Sequence, residues 1–122
     1  MLIKPDGTVV AKRLKRADTF GARLKGLMFQ NKFPPDYDAL VITPCSSVHT
    51  MFMQFCIDVL FLDQSHEVLH ILHNMVPGRV SPVIKGSSYA VEVLGGHAER
   101  CGIQIGDRLC FQNEQGKAVS SC

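Results

Sequence analysis

No C-x-x-C pair occurs among the five cysteines, which stand at positions 45, 56, 101, 110 and 122. Their odd number and wide spacing argue against a disulfide ladder, and a zinc knuckle would lack its paired thiolates. Reduced thiols are expected. Nothing in the chain approaches the ~20 consecutive apolar residues of a membrane span. The opening MLIKPDG runs into charge at once and offers no apolar stretch of signal-peptide length, so a cytoplasmic location is expected. Aromatic residues are scarce where positive charge is dense. Phe20 alone lies between Met1 and Lys25, too little for a platform on which single-stranded nucleic acid stacks. Internal repeats, low-complexity stretches and linkers are also missing, which leaves one domain over residues 1–122.

What is present suits a folded core. The 122 residues are 46% hydrophobic and 20% charged, ordinary globular values. A chain of this length buries about two thirds of its unfolded surface, enough to hold together without covalent staples. The net charge of +2 hides an asymmetry: residues 1–32 carry eight Lys or Arg against Asp6 and Asp18, whereas the remainder carries five against nine acidic residues. A basic end of this kind can attract polyanions through Lys12, Arg13, Lys15, Arg16, Arg23 and Lys25. It equally describes a solvated strand and helix face.

The hydrophobic pattern is mainly that of strands. TVVAKRLKRA at 8–17 resembles a charged edge strand. Asp18 or Thr19 can cap a helix over 18–29, in which Phe20, Leu24, Leu27 and Met28 form one stripe. Gly26 in that helix suggests close approach to the sheet, and Pro34-Pro35 end it. Strands are predicted at 39–43, 48–55, 57–62, 68–73 and 89–94, with a helical turn at 97–102 and a last strand through Leu109 and Phe111. About seven short strands with one helix predict a mainly β fold, an antiparallel β-sandwich or half-open barrel.

The most site-like segment is CSSVHTMFMQF, residues 45–55. If extended, it projects His49, Met51 and Met53 from one face. Imidazole, thioether and the Cys45 thiolate are ligands for soft metals, so Cys45, His49 and Met51 form a candidate copper or zinc set. Same-face residues on one strand lie ~6–7 Å apart, too far to grip an ion unaided, and methionines commonly fill irregular cores. Cys45 and His49 could also act as nucleophile and base, with Asp58 or Glu92 orienting the imidazole. Against this, buried cysteine usually behaves as a small hydrophobe. Asp58 and Glu92 are carboxylates inside apolar strands, where an unpaired charge is costly. Each either locks the fold through a partner or floors a ligand pocket. His66, His70, His73 and His97 are scattered, and His70 and His73 fall on opposite strand faces.

RLKGLMF, CSSVHTMFM, CIDVLFLD, YAVEVLGG and GIQIGDRL stand in order along the chain. In that order they closely resemble the domain-of-unknown-function 192 family over residues 10–112. The matching positions are Gly26, Leu27 and Met28; His49, Thr50, Phe52 and Met53; and Asp58, Glu92, Gly106 and Asp107. Cys56 stands where many members carry proline. The resemblance implies a small, mostly β domain and no particular activity or cofactor. The combined reading is a ligand- or protein-binding module whose pocket is lined by His49, Thr50, Met53, Asp58 and Glu92. No cofactor is expected. Its partner would be a small molecule or a protein, with nucleic acid not expected.

Overall fold

The computed structural model describes residues 1–112, apart from the side chains of Phe20, Leu24 and Lys25. The apolar stripe expected through Phe20 and Leu24, the Lys25 end of the basic run, and Cys122 therefore lie outside the described residues. The chain forms β1 (Leu2–Ile3), β2 (Val9–Ala11), β3 (Leu14–Ala17), α1 (Phe20–Lys25), β4 (Ala39–Ile42) and β5 (Ile57–Leu62). It continues through β6 (Val68–Met75), β7 (Tyr89–Leu94), α2 (His97–Arg100) and β8 (Cys110–Phe111). Among the described residues the fold is mainly β, as the pattern predicts, with two sheets and two short helices; the helix expected over 18–29 spans only Phe20–Lys25.

A three-stranded sheet runs in the order β2-β1-β8 and a five-stranded sheet in the order β3-β4-β7-β5-β6. All pairings are antiparallel except β3 with β4. A parallel neighbour needs a long crossover, which α1 and residues 26–38 supply. The edge strand expected over 8–17 is two strands in different sheets. The chain changes sheet at Lys12 and Arg13, where Asp38 holds it: the Lys12 amide donates to Asp38 Oδ2 (2.9 Å) and the Asp38 amide to the Arg13 carbonyl (2.8 Å).

Side chains on a strand alternate between faces, and this divides the core in two. Val41, Leu60, Leu62, Val91 and Val93 pack toward the three-stranded sheet with Leu2, Val10 and Phe111. Leu40, Ile42, Ile57, Val59, Phe61 and Ala90 point the other way, against Leu27, Val48, Met53 and Met75. β5 is buried along all six residues, since it lies between β7 and β6 with both faces covered.

The strand predicted over 48–55 does not form. Residues 46–50 run antiparallel to 79–84, with the Ile84 amide donating to the Ser46 carbonyl and Ser81 to Val48 (both 2.8 Å). His49 makes only an isolated bridge with Val80. The chain then turns, because Thr50 is anchored. Its hydroxyl donates to the Val76 carbonyl (2.7 Å) and accepts from the Arg79 amide (2.9 Å), while its carbonyl accepts from Met53 and Gly78. Phe52 turns at φ 62. The expected alternation is lost, and Met51 is exposed while Met53 is buried. Cys45, Cys56 and Cys101 are free thiols, but Cys110 is disulfide-bonded, which corrects the expectation of reduced thiols throughout. Spacing along a chain does not limit which cysteines meet in space.

Candidate functional site

Glu92 stands in the middle of β7, paired with Leu40 of β4 on one side and Val59 of β5 on the other. Its side chain shares the face of Ala90, and it is 2% exposed. Oε1 has no hydrogen-bond partner among the described residues. Burial raises the carboxyl to about 8, so it carries its proton at neutral pH. The price of keeping such a group is usually met by a partner, and here the described residues supply none.

What lies beside it is a cavity of about 330 Å³. Glu92 lines it, together with apolar surface from Ile42, Pro44 and Val48. Gly26, just after α1, closes over the acid. A methyl group at Gly26 would sit 3.8 Å from Glu92 Oε1, an ordinary contact, so its φ of +47° rather than crowding is what favours glycine there. Capping by the Thr19 hydroxyl, which accepts from the Ala22 amide (3.2 Å), starts the helix that brings Gly26 to this point.

Arg23 forms another part of the lining. Its Nη1 donates to the Pro44 carbonyl (3.0 Å) and its Nε to the Thr19 carbonyl (3.4 Å), which fixes the guanidinium at the cavity. Cys45, Ser46, Ser47 and His49 complete the wall. The Cys45 thiol donates to the Ser47 carbonyl (3.1 Å). Burial is the main cause that raises its pKa, with the charge of Glu92 adding to it and that of Arg23 opposing it, so Cys45 stays a thiol at neutral pH. His49 Nδ1 accepts from the Met51 amide (3.1 Å). Tyr37 is raised too, chiefly by burial and then by Glu92.

The five residues read from the sequence as pocket-lining divide. His49 and Glu92 share the cavity, as does Cys45. Thr50 and Met53 are buried outside its lining, the first as the anchor of the 76–79 loop and the second in the core. Asp58 faces the opposite side of the sheet, because it pairs with Val93 rather than Glu92. There its Oδ1 accepts from the amides of Asn74 (2.8 Å) and Gly96 (3.1 Å), and its Oδ2 from Ala98 (2.9 Å) at the start of α2. Among the described residues no group of three His, Cys, Asp or Glu side chains is placed to hold a metal ion. Gly26, Ser46 and Ser47 are not among the expected site residues, and Arg23 is expected only within the basic run that could attract polyanions. The one sequence signal near this cavity is Gly26, read as a close approach of the helix to the sheet.

Comparison with known proteins agrees with this architecture. The family described as uncharacterized ACR, domain of unknown function 192, matches residues 1–111. The chain belongs to this family. It is 35% identical over 125 residues to a UPF0127 protein of Thermococcus sibiricus, covering 98% of this chain and 79% of that protein. A UPF0127 protein of Pyrococcus furiosus is 33% identical over 114 residues, 89% of this chain and 95% of its own. The fold resembles the crystal structure of a protein of unknown function from Novosphingobium aromaticivorans. There the TM-score is 0.72 and the identity 24%, over 80% of this chain and 74% of that one. The family carries no established activity.

Proposed function

We propose that the chain is a binding module for a small molecule held in the cavity beside Glu92. One observation carries this: a carboxyl oxygen, buried and without a partner among the described residues, beside a space of about 330 Å³. A buried polar atom left unsatisfied costs about 1–3 kcal/mol, and a ligand that bonds it recovers that cost. The site has the usual make-up of a ligand pocket, mostly apolar with a few polar groups at fixed points. Glu92 and Arg23 are the polar anchors, His49, Ser46 and Ser47 line the wall, and Ile42, Pro44 and Val48 supply apolar contact. Thr50 supports the site by fixing the loop that follows His49.

The reading favours binding over thiol chemistry. A nucleophilic cysteine needs its thiolate stabilised, and burial together with Glu92 works against that at Cys45. A polyanion surface has less support, since Lys15 and Arg16 do not share one face. Lys15 lies over the Tyr37 ring (5.4 Å) and Arg16 over the Phe111 ring (5.2 Å), on opposite sides of β3. Arg13 is engaged with the Pro35 carbonyl and with Asp38.

The test is a small-molecule library followed by backbone amide chemical shifts. Hits should perturb Gly26, Cys45, His49 and Glu92, and a folded Ser46→Trp variant that fills the space should lose them. Hits that map elsewhere, or that survive Ser46→Trp unchanged, overturn the proposal.

A further inference from the structure

The cavity holds two groups of opposite ionic character that do not meet. The ion pairs found among the described residues are Lys4–Asp6 and Arg13–Asp38, and neither involves Glu92 or Arg23. Backbone carbonyls hold the guanidinium through Nε and Nη1, and no protein acceptor is found for Nη2 among the described residues. The carboxyl is 2% exposed with Oε1 unpartnered. We infer that the cavity is built for a small zwitterion, an α-amino acid or a molecule with the same charge pattern, its ammonium on the Glu92 carboxylate and its carboxylate on the Arg23 guanidinium. This rests on the small-molecule reading of the same site and names the class of ligand.

Three observations select this class. A lone amine on Glu92 would leave the guanidinium unused, and a lone anion on Arg23 would meet Glu92 only as its neutral acid; a zwitterion engages both groups in their charged forms and adds no net charge to the cavity. The size is right: about 330 Å³ lies at the small end of the ~300–1,000 Å³ range of ligand sites. The same cavity has apolar walls from Ile42, Pro44 and Val48, which suit an aliphatic side chain.

Binding of this kind moves a proton. Free Glu92 is protonated at pH 7, and an arriving ammonium requires the carboxylate, so the carboxyl proton passes to the buffer. The other titratable or charged groups around Glu92 are Tyr37, Cys45, His49 and Arg23. Tyr37 and Cys45 are both raised, chiefly by burial, and stay protonated at that pH.

Isothermal titration at pH 7 of the full chain with L-leucine, in phosphate and in Tris, reads the affinity and the proton together. Leucine is expected to bind with release of close to one proton. N-acetyl-leucine and leucinamide, each lacking one charge, should bind about tenfold more weakly or worse, the loss of one charge-assisted contact. Glu92→Gln should abolish the proton release, and Arg23→Gln should make leucine and leucinamide bind alike. Binding of leucine without proton release overturns the inference, as does N-acetyl-leucine binding as well as leucine. So does the failure of leucine, methionine, valine, phenylalanine and proline alike to raise the unfolding temperature at millimolar concentration. If uncharged or singly charged compounds perturb Gly26 and Glu92 while the amino acids do not, the zwitterion falls and the binding module stands. If no compound perturbs them, both fall.

Discussion

Two carboxyl groups lie buried in neighbouring strands of one sheet, and their surroundings could hardly differ more. Asp58 is fully enclosed and accepts three backbone amide hydrogen bonds, from β6, from the turn before α2 and from α2 itself. Glu92 is equally enclosed and its Oε1 accepts none. Side-chain type and burial are thus alike, while the outcome is opposite. The first carboxylate completes the fold by satisfying amides that would otherwise be orphaned at a strand irregularity and a helix start. The second leaves hydrogen-bonding capacity unspent beside an open space, which is how a site differs from a core.

The pH dependence of stability tests this contrast most strongly. Glu92 is raised from an unfolded value of 4.5 to about 8, so the folded state binds the extra proton between those limits. Its contribution is therefore complete below pH 4.5 and is lost as pH rises through 8. The shift corresponds to a fall on the order of 4 kcal/mol across that window. Urea unfolding at pH 5, 7 and 8.5 should show that fall, and Glu92→Gln should flatten it and be the more stable protein at pH 8.5. An identical pH profile for the two proteins would mean that Glu92 is not the buried acid described here.

Asp58→Ala comes next. Removing the acceptor orphans the amides of Asn74, Gly96 and Ala98, and a loss of about 3 kcal/mol in unfolding free energy is expected. Proton exchange at Ala98 and Asn74 should speed up in the same variant. A loss below about 1 kcal/mol would reduce the clamp to an ordinary hydrogen bond.

Gly26→Ala should cost about 1–2 kcal/mol, through its positive φ and not through contact with Glu92. If the cost instead vanishes when combined with Glu92→Ala, crowding against the acid was the cause, and a double-mutant cycle decides between them. The smallest effect belongs to a carboxylate outside the comparison. Asp38→Asn removes an exposed ion pair with Arg13 (3.7 Å) and should change stability by about 0.5 kcal/mol or less. A larger loss would show that the crossing of the chain between sheets depends on charge as well as on the Lys12 hydrogen bond.

Much of the fold was legible in the chain. Alternation along a strand puts Ala90 and Glu92 on one face and Val91 and Val93 on the other, and the structure has them so. IDVLFL is the strand expected over 57–62 and HAER forms the short helical turn expected at 97–102. Glu92 stood out because a carboxylate in an apolar strand demands an explanation. Other features could not be read. Periodicity predicts an alternating strand over 48–55, but the Thr50 hydroxyl bonds a loop 26 residues onward and turns the chain there. No local pattern announces a partner at that distance. Arg23 read as one more charge on a basic face, because its guanidinium is placed by the carbonyl of Pro44, 21 residues away.

By itself the sequence determined that β4, β5, β6 and β7 would be strands and that two acids would stand inside them, since hydrophobic pattern and local propensity act within a few residues. Only the tertiary structure decided what each acid became. The register of β5 against β7 sets Asp58 opposite Val93, and so sends the two carboxyl groups to opposite faces of one sheet. Whether a buried group then meets amides or an empty space depends on segments distant in the chain, and their approach is settled by packing.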